Sequence, residues 1–356
     1  MDRFHRIIID GTAYEGAAVR RKATELHAAS GGASWSVILE TLLTDLSLHK
    51  GPLAVRTSGT TGPPKALSIP RRDLIASARL TAEAFRLHEG DRALLCLPCE
   101  YIAGKMMVVR AFVIGLDLHV VDPRGPVLEN VRTEDRFRFT AMVPLQLYRA
   151  IQEDKARVER QFDTVLLGGG PVSDALIEDL QALRTRVFLG YGSTETITHV
   201  AVRQLNGAER STMFTALGDI TFARDERGCL IVHTPHLTVK EHVTNDIVDL
   251  LDNRHFRWLG RHDNVILSGG KKIFPEQLEG KTAGLIPYPH FFAAFPDDKL
   301  GEGVMLVLEM SDPDETVVQE VLDILKDVLD EHELPRRVMA RRLFERTPNG
   351  KVIRAV

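Results

Sequence analysis

Apolar residues recur along the chain at two spacings, which predict where helices and strands lie. Helical spacing runs through four segments in the middle of the chain, 71–87, 106–114, 145–153 and 173–182. Short runs of apolar and β-branched residues between them predict strands at 93–97, 117–121, 140–142, 164–167 and 187–191. Strands that alternate with helices are typical of a layered α/β domain with a largely parallel sheet.

The two ends of the chain follow other patterns. Helical spacing over 16–30 and 35–46 predicts that residues 1–50 are helical. Beyond residue 212, shorter strands predict a small antiparallel, barrel-like sheet, at 219–224, 230–234, 247–251 and 256–258, with hairpin turns at 225–228 and 252–255. After residue 260 a separate α+β unit is expected, with helices over 275–283 and 313–331 and strands at 265–267, 291–295 and 304–308. The predicted fold class is α/β.

Composition limits what the protein can be. Its 356 residues suffice for two or three domains, and 44% hydrophobic with 26% charged residues is ordinary for a soluble globular protein. A net charge of −4 gives no basic footprint, so no nucleic-acid partner is expected. The first apolar run is too short for a signal peptide, and no stretch reaches the length of a membrane span. We expect a cytoplasmic protein, either a monomer or a homodimer.

Cys96 and Cys99 form a C-x-x-C pair that needs an interpretation. A zinc site would require two further ligands, and a redox site would require an exposed first cysteine at the start of a helix. Cys96 instead lies within the apolar run 93–97, so core packing is favoured over either chemistry.

A polar loop over residues 57–67 reads Thr-Ser-Gly-Thr-Thr-Gly-Pro-Pro-Lys-Ala-Leu. Its glycines permit close approach of the backbone to a ligand, its hydroxyls donate hydrogen bonds, and its lysine carries a positive charge. Such a loop suits a polyphosphate, although a mobile polar loop is the alternative. The flanks predict strands and the Walker A order of residues is absent, which excludes a P-loop. The candidate ligand-binding residues are Thr57, Ser58, Gly59, Thr60, Thr61, Gly62 and Lys65.

Two further motifs follow predicted strands. Tyr191-Gly192-Ser193-Thr194-Glu195 combines a turn glycine with a hydroxyl and with a carboxylate, a hard oxygen ligand that suits Mg²⁺; a helix N-cap is the alternative. The run Gly168, Gly169 and Gly170 lacks the spacing of a dinucleotide fingerprint and is otherwise a turn.

In their order along the chain, these motifs resemble the signatures of the adenylate-forming superfamily, which includes acyl- and aryl-CoA ligases, luciferases and peptide-synthetase adenylation domains. Ala66 replaces the glycine that usually ends the phosphate loop, and Asn245 replaces the glycine of the Thr-Gly-Asp element before Asp246. Residues 260–279 resemble the element Gly-Arg-x-Asp…Gly-x-Lys-Ile-x-Pro-x-Glu. Residues 346–354 resemble the C-terminal Pro-x-Gly-Lys-x-x-Arg signature.

The resemblance assigns roles to these residues. It implies that the 57–65 loop holds the β- and γ-phosphates of ATP, that the glycine run and Tyr191–Ser193 surround the nucleotide, and that Asp246 and Arg261 meet the ribose. Thr194 would hold the α-phosphate, Glu195 would bind Mg²⁺, and Lys351 would be the catalytic lysine. It further implies an adenylation domain over residues 1–260 and a mobile domain over 261–356, with a hinge near Asp263.

The acyl substrate rests on a narrower resemblance. Residues 97–107 and 194–201 look like those of short o-succinylbenzoate–CoA ligases of menaquinone synthesis, with Tyr101 beside the acyl pocket. That acid keeps a second carboxylate, for which Lys105, His199 and Arg203 are candidates by proximity to the motifs. A structural histidine and solvated surface charges are the alternatives.

The expected reaction is therefore ligation of a carboxylic acid to coenzyme A through an acyl-adenylate, with ATP and Mg²⁺. Another aryl- or acyl-CoA ligase, or an adenylation enzyme that loads a carrier protein, remains an alternative. A regulatory pseudoenzyme is disfavoured because all the charged catalytic positions are present.

Overall fold

A thirteen-stranded sheet organises most of the chain. The computed structural model describes residues 3–56, 66–311, 315–346 and 352–354. The strands are β1 (Arg6–Ile9), β2 (Thr12–Glu15), β3 (Leu53–Arg56), β4 (Ala66–Ile69), β5 (Arg92–Leu95), β6 (Asp117–Val120), β7 (Phe139–Met142), β8 (Thr164–Leu167), β9 (Arg186–Gly192), β10 (His199–Gln204), β11 (Phe214–Ala216), β12 (Thr221–Arg224), β13 (Cys229–His233), β14 (Glu241–Leu250), β15 (His255–Arg261), β16 (Ile266–Ser268), β17 (Lys271–Ile273), β18 (His290–Asp297), β19 (Gly301–Glu309) and β20 (Arg337–Arg341). The helices are α1 (Ala17–Ala29), α2 (Ser34–Leu48), α3 (Arg71–Phe85), α4 (Ile102–Ile114), α5 (Pro144–Gln161), α6 (Asp174–Leu180), α7 (Pro275–Thr282) and α8 (Glu315–Lys326).

The middle of the chain forms the predicted parallel sheet. Strands β9, β8, β7, β5, β6 and β1 lie side by side in that order, each parallel to the next. Side chains of consecutive residues point to opposite faces, so Leu95 packs with helices α1–α4 while Leu94 packs with α5 and α6. The prediction of a layered α/β domain is confirmed.

The first fifteen residues differ from the prediction. Residues 1–50 were expected to be helical, but β1 and β2 form a hairpin at the edge of the large sheet. Asp10 and Gly11 connect the strands with φ angles of 49° and 76°, the two positive values that a type I′ turn requires. Ile7 and Ile9 are buried against the helices, which holds the hairpin in place. That part of the helical prediction is wrong.

The antiparallel part continues the same sheet. Strand β10 pairs antiparallel with β9, and the order then runs through β11, β15, β14 and β13 to β12. The predicted hairpin turns are confirmed: the Asp225 N–H donates to the Cys229 carbonyl at 2.9 Å, and the Leu251 N–H donates to the His255 carbonyl at 2.9 Å. Sequence periodicity missed β10 and β11, which connect the two parts.

A second, five-stranded sheet follows. A single 3₁₀ turn, His262–Asn264, separates β15 from β16. Helices α7 and α8 cover one face of this sheet through Leu278, Val321 and Leu325, while Phe344 packs with Phe291 on the other face. The sheet therefore has its own core, and a domain boundary at residue 260 stays a prediction.

Two smaller expectations concern the cysteines and the membrane. Cys96 and Cys99 are buried and unbridged, and burial raises the pKa of each thiol to about 12, which favours packing over redox chemistry. Among the described residues, no helix has the length and apolar character needed to cross a bilayer.

Gly104→Ala should destabilise the fold because helix α4 lies directly on the preceding turn. A Cβ atom at Gly104 would sit 2.3 Å from the Pro98 carbonyl oxygen, and α4 is too deeply buried to move away. We expect the free energy of unfolding in urea to fall by about 2–3 kcal/mol. Gly51→Ala is the matched control, since a Cβ there meets nothing within 4 Å. Equal stability of the two variants would contradict this packing.

Candidate active site

The loops that leave the carboxyl ends of the parallel strands form the candidate site. In open α/β sheets ligands bind at this edge. Strand β5 leads to Tyr101 at the start of α4, β8 leads to Gly168–170, and β9 leads into the Tyr191–Glu195 motif. The phosphate loop, Thr57–Lys65, and Lys351 lie outside the described residues, so their roles stay predictions.

A tight turn joins β9 to β10. Gly192 is paired with His199, and a Cβ at Gly192 would lie 2.1 Å from the Thr198 carbonyl oxygen, so no other residue fits. Within the turn the Ser193 N–H donates to Thr196 Oγ1 at 2.8 Å, and the Thr196 N–H donates back to Ser193 Oγ at 3.4 Å. The segment is a closed turn rather than the start of a helix. It leaves Thr194 half-buried and Glu195 exposed.

Three of the predicted nucleotide-site residues lie in one network with the predicted hinge residue, Asp263. The Tyr191 hydroxyl donates to Asp246 Oδ2 at 2.7 Å, and Arg261 Nη1 lies 3.5 Å from Asp246 Oδ1. Arg261 Nη2 also donates to Asp263 Oδ2 at 3.0 Å. Burial and the Asp246 charge raise the pKa of Tyr191 well above its ordinary value, so the phenol stays protonated and donates. The pairing of β14 with β15 places Asp246 opposite Arg261 and creates this arrangement.

The glycine run after β8 lies next to the end of β7. The Gly168 N–H donates to the Met142 carbonyl at 3.1 Å, and Gly169 adopts φ 81° with Val143 close by. A Cβ at Gly168 would meet nothing within 4 Å, so packing does not require a glycine there. The open space beside it is compatible with a bound ligand. The three glycines form an open turn beside the β9 motif.

A buried cation lies below the β9–β10 turn. Arg110, in the middle of α4, is 1% exposed and donates to Thr81 Oγ1 at 3.1 Å, Thr198 Oγ1 at 3.1 Å and Met107 Sδ at 3.5 Å. All three acceptors are neutral, and no carboxylate of the described chain pairs with this guanidinium. Burial lowers the pKa of Arg110 to about 9, which still leaves it charged at neutral pH. An isolated charge in such surroundings is costly unless a partner arrives.

His199 adjoins this cation and has one unused nitrogen. Its Nδ1 lies 3.0 Å from Thr198 Oγ1, while its buried Nε2 has no partner among the described residues. The Thr198 hydroxyl accepts from Arg110 and can donate its own hydrogen to Nδ1, and in that tautomer the ring proton lies on Nε2. Burial and the Arg110 charge lower the pKa of His199 well below its ordinary value. In that tautomer a neutral N–H donor stands unpaired near a buried positive charge.

The other predicted acyl-pocket residues are less closely connected. Tyr101 precedes α4 and is half-buried, and burial raises its pKa. Lys105 is half-buried one turn further on, and desolvation lowers its pKa. Arg203 lies with its guanidinium 5.4 Å from the ring centre of Phe214, towards the antiparallel part of the sheet. The structure thus joins His199, but neither Lys105 nor Arg203, to the Arg110 hydrogen bonds.

Sequence reasoning missed Arg110, although a signal was available. It is the one charged residue of the run 106–114, which was predicted as a buried helix. A charge inside such a helix requires either a partner or a ligand, and Thr81 and Thr198, its nearest acceptors, are distant in sequence.

Fold and site together define an adenylate-forming enzyme, and comparison with known proteins agrees. Residues 55–222 match the family described as AMP-binding enzyme. A solved structure from Dyadobacter fermentans, an acyl-CoA synthetase (AMP-forming)/AMP-acid ligase II-like protein, is 35% identical and aligns over 90% of this chain and 93% of that one, with a TM-score of 0.60. The chain belongs to the adenylate-forming superfamily of AMP-binding enzymes, as its motifs predicted.

Some relatives carry the name of a substrate. A probable 2-succinylbenzoate–CoA ligase of Mycobacterium tuberculosis is 29% identical, with 85% of this chain and 82% of that protein aligned. The o-succinylbenzoate coenzyme A synthetase of Bacillus subtilis, solved with ATP and magnesium ion, shares the fold at 16% identity, with a TM-score of 0.75 over 98% of this chain and 96% of that one. The chain spans 65% of the length of a 26% identical long-chain-fatty-acid–CoA ligase of M. tuberculosis.

Asp246→Asn should weaken AMP binding because the variant loses the negative charge that the resemblance places at the ribose. We expect affinity to fall by about 1.5–3 kcal/mol, measured by titration calorimetry. Tyr191→Phe removes one hydrogen bond to Asp246 but leaves its charge, so its loss should be about 1 kcal/mol or less. Thermal unfolding of both variants controls for folding. AMP affinity unchanged in Asp246→Asn would remove Asp246 from the ribose site.

Proposed function

We propose that the chain is an ATP-dependent carboxylate–CoA ligase whose substrate retains a second carboxylate, with o-succinylbenzoate as the leading candidate. Family membership supports the reaction class, and the name of the M. tuberculosis relative supports the acid. The observation that carries the proposal is Arg110, a buried cation without a carboxylate partner among the described residues.

The reaction follows from the chemistry of a carboxylate. An acid does not acylate a thiol at neutral pH, because oxide is a poor leaving group. In the first step a carboxylate oxygen attacks the α-phosphorus of ATP and pyrophosphate leaves; in the second the thiol of coenzyme A attacks the acyl carbon and AMP leaves. Lys351 would stabilise the negative charge that builds up between the carboxylate and the α-phosphate.

The turn after β9 would hold the phosphate end of ATP. Thr194 would donate to the α-phosphate, while Asp246 and Arg261 would fix the ribose. Glu195 is exposed at the same turn, and its carboxylate is a suitable oxygen ligand for Mg²⁺, which would supply positive charge beside the phosphates. Gly269 and Gly270, with φ angles of 55° and 80°, form the turn between β16 and β17. The resemblance to the superfamily implies that this turn would move to the active site for the second step.

Arg110 and His199 would recognise the second carboxylate. A carboxylate can accept hydrogen bonds from the guanidinium and from the His199 Nε2–H. It would supply the counter-charge that Arg110 lacks and the acceptor that His199 lacks. His199 is buried, and its lowered pKa keeps it neutral, so it adds a donor without adding charge. Lys105, which is half-buried near the N-terminus of the same helix, remains a weaker candidate for binding the second carboxylate. A substrate with one carboxylate would leave the buried cation unpaired.

A panel of acids tests the reaction and its substrate. We expect pyrophosphate release that depends on ATP, Mg²⁺ and coenzyme A, and that is fastest with o-succinylbenzoate and other aromatic diacids. Lys351→Ala should lose adenylate formation but convert supplied acyl-AMP to thioester. Activity only with long-chain monoacids would reject the proposed substrate, and acylation only of a carrier protein would reject the coenzyme A step.

Arg110→Met should separate stability from substrate recognition. Methionine fills a similar volume without a buried charge, and Thr81 and Thr198 keep the Ser77 carbonyl and His199 as acceptors for their hydroxyls. We expect the free energy of unfolding to rise by about 1–3 kcal/mol. At the same time kcat/KM for diacids should fall about 100-fold, the loss of roughly 2–3 kcal/mol of charge-assisted binding, with monoacids little affected.

The matched control for this change is Arg79→Met on the exposed face of α3. It should alter neither stability nor the ratio of diacid to monoacid activity. If Arg110→Met lowered both substrate classes equally, Arg110 would be a structural residue only.

A further inference from the structure

A short junction, residues 262–265, connects the two sheets. Their apolar cores are separate, and the second begins at Ile266 directly after the junction. Gly260 of β15 faces α7, where a Cβ would lie 2.7 Å from Glu276 Oε2. With so little shared core, polar contacts at the junction have a large influence on how the second sheet is held.

Asn245 reaches across to the junction with its side chain. Its Nδ2 lies 3.3 Å from each carboxylate oxygen of Asp263. Arg227 Nη1 donates to Asn245 Oδ1 at 3.0 Å, which directs the amide nitrogen towards Asp263. Arg227 is itself held by Asp225, whose Oδ2 accepts from Arg227 Nε at 2.8 Å. The orientation of the Asn245 amide is therefore determined by a neighbour on the β12–β13 hairpin.

Asp263 also shares Arg261 with the nucleotide network. Arg261 Nη2 donates to Asp263, while Nη1 faces Asp246. If Asp263 moved away from both Asn245 and Arg261, Asp246 would be the one carboxylate left beside Arg261 among the described residues. The contact at Asp263 consequently couples the placement of the second sheet to the orientation of a residue proposed to meet the ribose.

We propose that Asn245, oriented by Arg227, is a positioning residue that retains Asp263 and so sets how readily the second sheet turns about the junction. The inference rests on the proposed two-step reaction, in which Lys351 would serve the first step and the Gly269–Gly270 turn, far from it in the sequence, would serve the second. Glycine, the residue that Asn245 replaces in the motif, has no side chain to make this contact. The orientation in this structure is thus stabilised by a residue that departs from the Thr-Gly-Asp motif.

Asn245→Asp tests the contact with little change elsewhere. The new carboxylate keeps an acceptor for Arg227 but repels Asp263. We expect the second sheet to leave its present orientation and the ratio of thioester to adenylate half-reaction rates to rise about three- to tenfold, the range for the net contribution of one ordinary hydrogen bond, since both 3.3 Å contacts are long. Combining it with Asp263→Asn restores an amide–carboxylate pair and should return the ratio towards the parent value.

The orientation can be measured without activity. Cysteines introduced at the exposed positions Glu209 and Glu320 carry a fluorescent donor and acceptor, while Cys96, Cys99 and Cys229 are buried and stay unlabelled. Asn245→Asp should change the distance distribution, and Asn253→Asp, the same chemical change on an exposed hairpin, should not.

The outcomes separate the two proposals. An unchanged distance distribution, or a double variant no closer to the parent than Asn245→Asp, would overturn the role of Asn245 even in an active ligase. Absence of ligase activity in the parent chain would overturn the proposed function, while the distance measurement would still report on the contact.

Discussion

The antiparallel pairing of β10 with β9 is the constraint on which the rest of the site depends. On one side of it the strands are parallel, and on the other they are antiparallel. The reversal has to be completed between Gly192 and His199, within a turn so close that the Thr198 carbonyl occupies the space of a Cβ at Gly192. Glycine is required there by contact rather than by conformational freedom. The same reversal aims Thr194 and Glu195 outward and turns Thr198 and His199 into the interior.

The buried Arg110 depends on this turn, because Thr198 at its end accepts a hydrogen bond from the guanidinium. A guanidinium without a counter-charge lowers stability, and its hydrogen bonds to two threonines and a methionine satisfy donors without neutralising the charge. The residues of α4 on either side of Arg110 are apolar and buried, so leucine or methionine would pack there at lower cost. His199, whose buried Nε2 has no partner among the described residues, contacts Thr198 as well. An anionic acceptor would pair with the guanidinium and, in the tautomer that carries the proton on Nε2, with the imidazole.

The predictability of the fold differed between its parts for physical reasons. The parallel strands and their helices could be predicted from the spacing of apolar residues, because each element shows its apolar face within its own segment of the sequence. The β1–β2 hairpin was missed because the helical spacing of residues 16–46 was extended to the start of the chain, although Ile7, Ile8 and Ile9 form a β-branched run and Asp10-Gly11 is a strong hairpin signal. Strand β10 begins at His199, shortly after the Tyr191–Glu195 motif, and its pairing with β9 was not predicted, so His199 could be named only by its proximity to the motif. Asp246 and Arg261 could be named from motifs, but their meeting depends on a register between β14 and β15 that no local pattern encodes.

Two of the cationic residues, Arg110 and Arg261, are connected to opposite ends of one turn. Arg110 bonds to Thr198 after the turn, and Arg261 faces Asp246, which accepts from Tyr191 before it. The turn between them is closed by reciprocal bonds of Ser193 and Thr196, which fixes Tyr191 and Thr198 relative to one another. Arg110 is buried and Arg261 is half-buried, so the two cations differ in their access to solvent. Arg261, unlike Arg110, also donates to Asp263, so of the two it is the one that contacts the junction between the sheets.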